Sequence, residues 1–459
     1  MKRLRKALVV LLVLSAIVLL AHVGVGVFTR ITPPDVEAHP GKGAYTTMRA
    51  GLRETYLAGT PEEMGYSHAS LVRDRMVAGE EEVWALFVKF VPFSPARTLI
   101  MDVSRVRYRH VDRGIPEPRR REIAAEARAF DPDPFASHLP TYHRLVFLHA
   151  MYDIALSFER SPLIGCTAFG VTGKDGHVLV GRAFDFEAAE FFDRDKEVVF
   201  FRPDGAIPFA SVGWPGLIGV VSGMNLEGVT VVVNGARAKD PRSEGIPVVF
   251  SLREVLERAH DTGEAIQILS SQDVMVSHIV FVADAKGRFA VVERAPGEAA
   301  FVRASSEGQS AAVTNHFEGP LAGDARNQTV RATTTSVARR DRIDELLNGA
   351  HDLDARGAVR ILRDHGCAHG ACELGDRRAI DALIATHGVV ADTTDRVLWV
   401  SRGPHLSGAF VRFDLRRVFA LDHDPAADPA PETIEDDPIL QDGRYAEGRA
   451  RAVRPTQTQ

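Results

Sequence analysis

Cys166 is the residue of this chain whose type and position could do covalent chemistry, because it follows a glycine in the segment Gly165-Cys166-Thr167. A thiolate is a strong nucleophile. If the bond after Gly165 is cut, Cys166 becomes an N-terminal residue, and its own α-amine, with a pKa of about 8 in model peptides, suits a general base. A cut at Gly165/Cys166 would thus make one residue both nucleophile and base. The alternative is that Cys166 is only a small buried apolar residue of a strand.

Two charged residues follow on a segment that should fold back beside Cys166. The run Gly173-Lys174-Asp175-Gly176 predicts a hairpin turn, and the return strand carries Arg182 and Asp185. A cation beside a thiol favours the thiolate, and a carboxylate beside an α-ammonium can orient that group. The alternative is a purely structural ion pair between Arg182 and Asp185.

The order of these residues along the chain resembles a known family. Further motifs are Gly223-Met224-Asn225-Leu226-Glu227-Gly228 leading to Asn234, then Thr314-Asn315-His316-Phe317, then Ser336-x-x-Arg339. Together they resemble the acyl-coenzyme A:6-aminopenicillanic-acid acyltransferase family of self-processing cysteine N-terminal-nucleophile hydrolases, which is related to bile salt hydrolase, penicillin V acylase and acid ceramidase. The resemblance extends over most of the chain after its apolar N-terminus.

The resemblance implies a role for each matching residue. Cys166 corresponds to the nucleophile, freed when the chain cleaves itself at Gly165/Cys166, and Arg182 and Asp185 correspond to the pair that holds the thiolate and the α-amine. Asn234 corresponds to an oxyanion contributor and Asn315 to a second amide near the reacting carbon. Arg339 is a weaker correspondence to a late arginine that supports the site.

Other residues of these motifs have simpler interpretations. Many relatives have Asn where this chain has Ala183, a difference that we expect to alter packing rather than chemistry. Asn225 fits a turn, and His316 fits a cap or a packing residue. Arg339 and Arg342 fit a solvated helix face as well as a site.

The elements that must position these residues change in type at Cys166. Before it, helices are predicted at 80–91, 117–130 and 142–158; after it come short strands and a later group of helices. The predicted strands are 167–172, 177–186, 197–201, 217–222, 228–233, 279–283, 289–293, 311–315, 397–400 and 410–414, and the later helices are 251–270, 337–347 and 355–364. Strand runs followed by helix runs predict an α+β fold with antiparallel sheet. The resemblance implies an αββα sandwich, two antiparallel sheets between helical layers.

The predicted organisation has four parts. Residues 1–30 form a signal anchor or signal peptide, 31–165 a helical pro-segment, and 166–421 the catalytic region. Residues 422–459, rich in Asp, Pro and Ala, are predicted to be a loosely ordered tail. The two products of cleavage are expected to stay associated.

The N-terminus has the pattern of a membrane anchor. Lys2, Arg3, Arg5 and Lys6 precede an uncharged run from Ala7 to Phe28, which as a helix is about 33 Å long, enough to cross a bilayer core. No clear small-x-small cleavage site follows, so we favour an anchor over a signal peptide. Positive residues stay cytoplasmic, which places the rest outside the inner membrane, anchored or periplasmic.

Charge and cysteine content bear on three kinds of partner: nucleic acid, metal ions and cofactors. The net charge is -6, and no basic run beyond the N-terminus suggests nucleic acid. Cys367 and Cys372, with His365 and His369 beside them, could ligate zinc, form a small-loop disulfide in an oxidising compartment, or remain free. We predict neither a metal nor a cofactor for the chemistry.

Three functions remain open. The first is an amide hydrolase or acyltransferase acting on a small acyl-amide or an acylated lipid through a Cys166 thioester. The second is a phospholipase B-like hydrolase of lipid esters. The third is a catalytically silent, membrane-tethered binding protein that keeps the fold.

Overall fold

The computed structural model describes residues 2–157, 164–186, 189–305, 309–350 and 352–453. Its helices are α1 (Lys2–Phe28), α2 (Pro61–Phe90), α3 (Ser94–Arg107), α4 (Glu117–Ala129), α5 (Thr141–His149), α6 (Met151–Leu156), α7 (Phe191–Arg194), α8 (Val248–Arg258), α9 (Thr262–Ser270), α10 (Ala325–Thr333), α11 (Ser336–Asn348), α12 (Ala355–Leu362), α13 (Leu415–Val418) and α14 (Arg444–Ala452). The predicted helix 142–158 is interrupted at Ala150, and its last residue lies outside the described residues.

The strands form two sheets, as an α+β fold requires. They are β1 (Tyr45–Arg49), β2 (Leu52–Gly59), β3 (Ile164–Thr172), β4 (Val178–Phe186), β5 (Glu197–Pro203), β6 (Phe209–Gly213), β7 (Ser222–Asn225), β8 (Thr230–Gly235), β9 (His278–Ala283), β10 (Phe289–Arg294), β11 (Phe301–Ala304), β12 (Ala311–Val313), β13 (Ala385–Asp392), β14 (Val397–Ser401), β15 (Phe410–Asp414) and β16 (Thr433–Ile434). Sheet A has the order β1-β2-β5-β6-β7-β8-β9-β10-β11, and sheet B the order β12-β3-β4-β13-β14-β15-β16.

The two sheets pack face to face, and helices cover their outer faces. Val180 of sheet B shares one core with Phe281 of sheet A, and a Cβ at Gly170 would lie 2.5 Å from the Phe289 ring across the interface. On the far side of sheet A, α2, α4 and α8 pack on Val231 and its neighbours. On the far side of sheet B, α11 and α12 pack on Phe169 and its neighbours.

The pro-segment is not purely helical, which corrects the expectation for residues 31–165. β1 and β2 lie in it, and both belong to sheet A. β2 pairs with β5 in parallel, whereas the other paired strands of the described residues are antiparallel. The prediction of purely antiparallel sheets is wrong at this pair. The connection from β2 to β5 is not a hairpin but contains α2–α6, the β3–β4 hairpin of sheet B and α7, and a connection of this length lets the two strands run parallel.

Three local predictions are also wrong. Residues 217–221 are irregular, since the Pro215-Gly216 turn interrupts the chain, and β7 starts only at Ser222. The predicted helix 251–270 is two helices, because Asp261 caps a new start by accepting from the backbone N–H groups of Gly263 and Glu264. Within 422–453, the expected loose tail instead contains β16 and α14, with Ile434 and Ala452 buried.

The N-terminal helix agrees in extent with the apolar run. α1 has the length and composition of a membrane-crossing helix, and its most apolar stretch is not buried by the rest of the protein. The same features fit a signal sequence.

Candidate functional site

The hairpin of β3 and β4 builds the centre of the site. Its turn has Asp175 and Gly176 at positive φ, and its register sets Cys166 opposite Phe184 and Gly165 opposite Asp185. Strand alternation places Cys166 on the same face as Ala168, which packs between the sheets. The thiol is free and completely buried.

Arg182 is the nearest cation to the thiol. Its Nη2 donates to Cys166 Sγ at 3.3 Å, and its Nη1 donates to Asn234 Oδ1 at 2.5 Å. The guanidinium is fully buried and lies 4.7 Å from the centre of the Phe184 ring. The structure therefore brings Arg182 into contact with the sulfur across the hairpin.

Asn234 reaches the same cluster from β8 of the opposite sheet. Its Nδ2 donates to the backbone oxygens of Val313 and Thr314, at 3.3 and 3.0 Å. Both ends of the amide are thus occupied in the uncut chain. Asn234 here orients Arg182, and its service as an oxyanion donor stays a prediction.

Asn315 contacts the nitrogen that cleavage would release. Its Oδ1 accepts from the backbone N–H of Cys166 at 2.8 Å and from Arg339 Nη2 at 2.7 Å. Its Nδ2 donates to the Gly235 backbone oxygen at 2.8 Å. The Asn315 side chain is therefore fixed from three directions, with its oxygen on the Cys166 nitrogen.

Arg339 belongs to the cluster, whereas Arg342 does not. Arg339 is buried on α11, and its Nη1 donates to the Cys166 backbone oxygen and, at 2.8 Å, to Thr167 Oγ1. Arg342 is partly exposed and pairs with Asp364. Of the two arginines, only Arg342 therefore lies on the solvated face of α11.

The Asp185 carboxylate lies beside Gly165 and near enough to the thiol to act on its pKa. It is buried, and a Cβ at position 165 would lie 3.0 Å from its Oδ2. Gly165 is not among the residues with positive φ. Glycine is needed at 165 because a side chain there would crowd the carboxylate, so no backbone strain is required to explain it.

Burial controls the thiol more strongly than its cations do. Desolvation raises the pKa of Cys166 above 9.0, while Arg182 lowers it and the Asp185 carboxylate raises it. In the uncut chain burial therefore favours the protonated thiol, while Arg182, as expected of a neighbouring cation, favours the thiolate. Burial also lowers the pKa of Arg339.

Sequence reasoning missed several aromatic and imidazole residues around the thiol. Tyr152 of α6 is buried, its hydroxyl has no hydrogen-bond partner among the described residues, and the nearby Cys166 adds to burial in raising its pKa. His387 stacks on Phe184 with ring centres 5.0 Å apart, and its Nε2 lies 3.0 Å from Ser222 Oγ. Burial lowers the pKa of His387, so it is neutral. No local pattern marks these residues.

A largely apolar pocket adjoins the thiol through Tyr152 and Phe184. It encloses about 900 Å³, its open mouth included. The wall residues come from α2, α5 and α6 of the pro-segment and from the catalytic region: Met76, Gly79, Glu80, Val83, Leu145, Leu148, His149, Met151, Tyr152, Phe184, Phe186, Phe191, Phe192, Trp214, Pro215, Gly216, Leu217, Val221 and Val249. Such a lining suits an acyl group.

The two remaining cysteines pair with each other. Cys367 and Cys372 form a disulfide, with their Cα atoms 5.5 Å apart. The neighbouring histidines contact carboxylates: His369 lies near Asp341, and His365 lies near Asp381. Of the three alternatives for these cysteines, the structure has the disulfide.

Comparisons with known proteins confirm the resemblance found in the sequence. Residues 171–370 match the family model described as acyl-coenzyme A:6-aminopenicillanic acid acyl-transferase, so the match begins after Cys166 and contains Arg182, Asp185, Asn234, Asn315 and Arg339.

Two curated relatives are similar over part of their length. An uncharacterized protein of Archaeoglobus fulgidus is 26% identical over 269 residues, which covers 54% of this chain and 44% of the relative. The N-acylethanolamine-hydrolyzing acid amidase of Caenorhabditis elegans is 26% identical over 160 residues, covering 32% of this chain and 44% of the relative. The chain thus matches less than half the length of either relative.

Solved structures give a weaker likeness. The Caenorhabditis elegans amidase aligns over 50% of this chain and 93% of its own, with 18% identity and a TM-score of 0.37. A mutant conjugated bile acid hydrolase from Clostridium perfringens aligns over 59% of this chain and 97% of its own, with 14% identity and a TM-score of 0.38.

Proposed function

We propose that this chain, similar over 171–370 to the acyl-coenzyme A:6-aminopenicillanic acid acyl-transferase family, is a self-cleaving N-terminal-nucleophile hydrolase or acyltransferase with an αββα fold. One observation carries the proposal. The Arg182 guanidinium contacts the buried Cys166 sulfur at 3.3 Å, while Asn315 Oδ1 accepts from the Cys166 nitrogen at 2.8 Å. Both reacting atoms of the residue thus have a dedicated partner.

The first reaction is self-cleavage. Cys166 Sγ attacks the Gly165 carbonyl carbon, the Gly165–Cys166 C–N bond breaks, and the thiol proton passes to the leaving nitrogen. Water then attacks the thioester, which leaves a Gly165 carboxylate and restores the Cys166 thiol. Asn315 holds the nitrogen as it becomes an amine, and the Asp185 carboxylate beside Gly165 favours its protonated form.

The second reaction is turnover on an external acyl-amide. The free α-amine takes the thiol proton, Sγ attacks the substrate carbonyl carbon, and the proton is returned to the departing amine. Arg182 stabilises negative charge on the sulfur before attack. Water or a second amine then attacks the thioester and releases the acyl group.

The substrate class follows from the pocket beside the thiol. Its walls are mainly aliphatic and aromatic side chains, and Tyr152 and Phe184 connect it to Cys166. A small-molecule amide with an apolar acyl group fits this lining. N-Acylethanolamine, which the Caenorhabditis elegans relative hydrolyses by its name, belongs to the same class.

The proposed location is the outer side of the inner membrane, with α1 as an uncleaved anchor. The Cys367–Cys372 disulfide supports an oxidising compartment, since such bonds are rare in the cytoplasm. A chain released by signal cleavage would instead be periplasmic.

Mass spectrometry of the purified chain tests self-cleavage. We expect fragments that meet at Gly165/Cys166 in the wild type and an intact chain in Cys166→Ala. The matched control is Cys367→Ala/Cys372→Ala, which removes the other cysteines and should still be cut. An intact wild-type chain would favour the silent binding protein, and a cut Cys166→Ala chain would remove Cys166 from the reaction.

A substrate panel then separates the two enzymes. We expect release of the acyl group from apolar acyl-amides by the cut wild type, measured by chromatography of the products, and none by Cys166→Ala. Turnover of phospholipid esters in place of amides would favour the phospholipase B-like alternative.

A further inference from the structure

An apolar surface is exposed on α3 and on the elbow that joins it to α2. We define this apolar face by residues whose side chains remain open to solvent: Phe90 74%, Phe93 68%, Leu99 64%, Ile100 41%, Val103 59% and Val106 37%. The two helices meet at a bend of 115°. Contiguous exposed apolar residues of this kind mark a contact with a partner or a lipid phase.

α3 packs alongside α1, and successive residues of the two helices contact each other. Asp102 Oδ2 lies 2.8 Å from His22 Nδ1, and Arg105 Nη2 donates to the Gly26 backbone oxygen at 3.2 Å. Farther on, Arg109 lies 5.6 Å from the ring centre of Phe28. Each contact joins a residue of α1 to a residue about 80 positions later in the chain, in the same order along both helices. The two helices therefore run in the same direction.

This register fixes the level of the apolar face along α1. Leu99 precedes Asp102 by three residues, so at the helical rise it lies about 4 to 5 Å from the level of His22, toward the middle of the apolar run. Phe93 and the elbow continue in the same direction. If α1 crosses the bilayer, Leu99, Ile100, Val103 and Val106 are therefore at the depth of the outer leaflet. Phe93, about 13 Å from the level of Asp102, lies past the bilayer centre.

The charges of α3 are turned away from its apolar face. Asp102 and Arg105 are only 14% and 10% exposed and contact α1, and Arg97 donates to the backbone oxygens of Val91 and Pro92 at the elbow. Leu99, Val103 and Val106 follow one another at intervals of four and three residues, so they lie along one side of the helix, away from Asp102 and Arg105. Between Leu99 and Val106 the helix therefore presents apolar groups outward and satisfies Asp102 and Arg105 inward, which is the arrangement of a helix held in lipid. Arg107 is exposed at the last residue of α3, level with the outer end of α1, and donates to the Pro241 backbone oxygen at 3.2 Å.

We propose that the apolar face lies in the hydrocarbon core of the membrane that α1 spans, with its residues Leu99 to Val106 in the outer leaflet, so that the α2–α3 elbow draws substrate from the bilayer. The occupant is the lipid itself. α2 leads from the elbow to the pocket: Val83 lines the pocket, and Phe90 is seven residues, about 10 Å, farther along the helix. This inference rests on the proposed membrane anchor and narrows the substrate of the proposed function to an acyl-amide dissolved in the bilayer.

Depth-dependent fluorescence quenching tests the position of the face. The full chain carrying Cys166→Ala is reconstituted in phosphatidylcholine vesicles with one added cysteine, Leu99→Cys, labelled with a small fluorophore and exposed to doxyl-labelled lipids. Val18→Cys in α1 is the control for spanning, and Leu421→Cys, 94% exposed and outside α1–α3, is the control for a solvated leucine. We expect quenching at 99 and 18 and none at 421.

The outcomes separate the inference from its premises. Quenching at 18 without quenching at 99 overturns the apolar face as a lipid contact and leaves the anchor in place. Absence of quenching at both sites overturns both. Disulfide-linked dimers of the unlabelled Leu99→Cys chain, without quenching, would identify a second copy as the occupant and also overturn the inference.

Activity gives an independent measurement in the chain with Cys166 intact. We expect Leu99→Ser/Val103→Ser to lower turnover of a vesicle-embedded acyl-amide about tenfold. Turnover of a short, water-soluble acyl-amide should not change, and Leu421→Ser should resemble the wild type on both. An equal loss on both substrates would contradict the inference, whereas failure of the proposed function would abolish wild-type turnover and leave the quenching result untouched.

Discussion

At the scale of single residues, Cys166 is held by its backbone as firmly as by its sulfur. Arg339 and Asn315 bond the main-chain oxygen and nitrogen, while Arg182 bonds Sγ. The three side chains come from α11, the segment after β12, and β4. In the proposed self-cleavage, Asn315 would therefore hold the nitrogen of the peptide that is cut and Arg182 the attacking sulfur, which is what an intramolecular attack needs.

Replacing Arg182 with lysine should slow self-cleavage although the charge is kept. Lysine cannot donate to Sγ and to Asn234 with the planar fork that Arg182 uses. Loss of one charge-assisted hydrogen bond, worth about 1.5 to 3 kcal/mol, predicts a rate about 10 to 100 times lower. The measurement is the time course of the two fragments after cell-free synthesis.

The matched control is Arg342→Lys, which alters a partly exposed arginine on the neighbouring helix and should be cut at the wild-type rate. A wild-type rate in Arg182→Lys would mean that charge alone, without the two-point contact, activates the sulfur.

Self-cleavage should accelerate with rising pH. Burial raises the pKa of the Cys166 thiol above its ordinary value, so the thiolate fraction in the uncut chain keeps growing as the pH increases into the alkaline range. The rate of fragment formation, measured from pH 6 to pH 10, should rise across that range. A rate that is flat above pH 7 would show that Arg182 outweighs burial and lowers the pKa of the thiol.

At the scale of elements, the catalytic region and the pro-segment are joined by a side chain at a helix start. Asp153 of α6 is buried, and its two carboxylate oxygens accept from the Val248 backbone N–H at 3.3 and 3.1 Å, at the first turn of α8. Burial raises the pKa of Asp153 to about 7, and a carboxyl oxygen accepts in either protonation state. The N–H at this position has no partner within the helix. This contact couples the helix before the cleavage site to a helix well after it.

Asp153→Ala should destabilise the chain. It leaves the buried Val248 N–H without an acceptor, at a cost of about 1 to 3 kcal/mol in the free energy of unfolding, measured by denaturant titration. Asp153→Asn keeps an acceptor oxygen and should recover most of the loss. Asp74→Ala, at a side chain 97% exposed, should change the stability by about 0.5 kcal/mol or less. Equal stabilities for Asp153→Ala and Asp153→Asn would contradict the capping role.

At the scale of the whole molecule, the segments on either side of the cleavage site share one sheet and one set of buried charges. β2 pairs with β5 along its length, His68 Nε2 lies 2.7 Å from Glu197 Oε1, and Arg253 Nη1 donates to Glu122 Oε1 at 2.9 Å. All four charged or imidazole side chains are completely buried. Separation of the segments would expose them together with the core of sheet A.

The two fragments should therefore elute together after cleavage. In size-exclusion chromatography in mild detergent, the cut wild type should have the elution volume of uncut Cys166→Ala and should separate only in denaturant. Elution of the fragment that begins at Cys166 by itself would contradict this expectation, because separation would expose the apolar core that the two segments share.

The wall of the pocket is built from both the pro-segment and the catalytic region, so we expect the preferred acyl-chain length to depend on the assembled molecule. Leu148 of α5 is a partly buried wall residue of the pocket, so Leu148→Trp should fill space without altering the thiol. We expect turnover of long-chain acyl-amides to fall about tenfold or more while short-chain amides are spared. Leu421→Trp, at an exposed position, is the control. An equal loss for both chain lengths would mean that the acyl group binds elsewhere.

Which residues of the site could be predicted from the sequence depends on how far apart the contacting residues are along the chain. Cys166, Arg182 and Asp185 follow from the sequence because one short turn aligns two adjacent strands, and a turn type sets the register. Asn234, Asn315 and Arg339 lie far along the chain, and it was the resemblance that connected them to Cys166. Tyr152 and His387 carry no local signal, since only packing brings them to Phe184.

The sequence by itself determined the hairpin that carries Cys166, the α+β class and the apolar N-terminal run, because each is a local pattern of residue types. The role of Cys166 as nucleophile is a prediction that rests on the resemblance as well. Only the tertiary structure decided the parallel β2–β5 pairing, the Cys367–Cys372 bond, the pocket wall from α2, α5 and α6, and the level of α3 along α1. It also decided that burial outweighs Arg182 at the thiol. The physical reason is common to all of these: desolvation and long-range pairing depend on which distant segments meet, and local residue patterns contain no record of that.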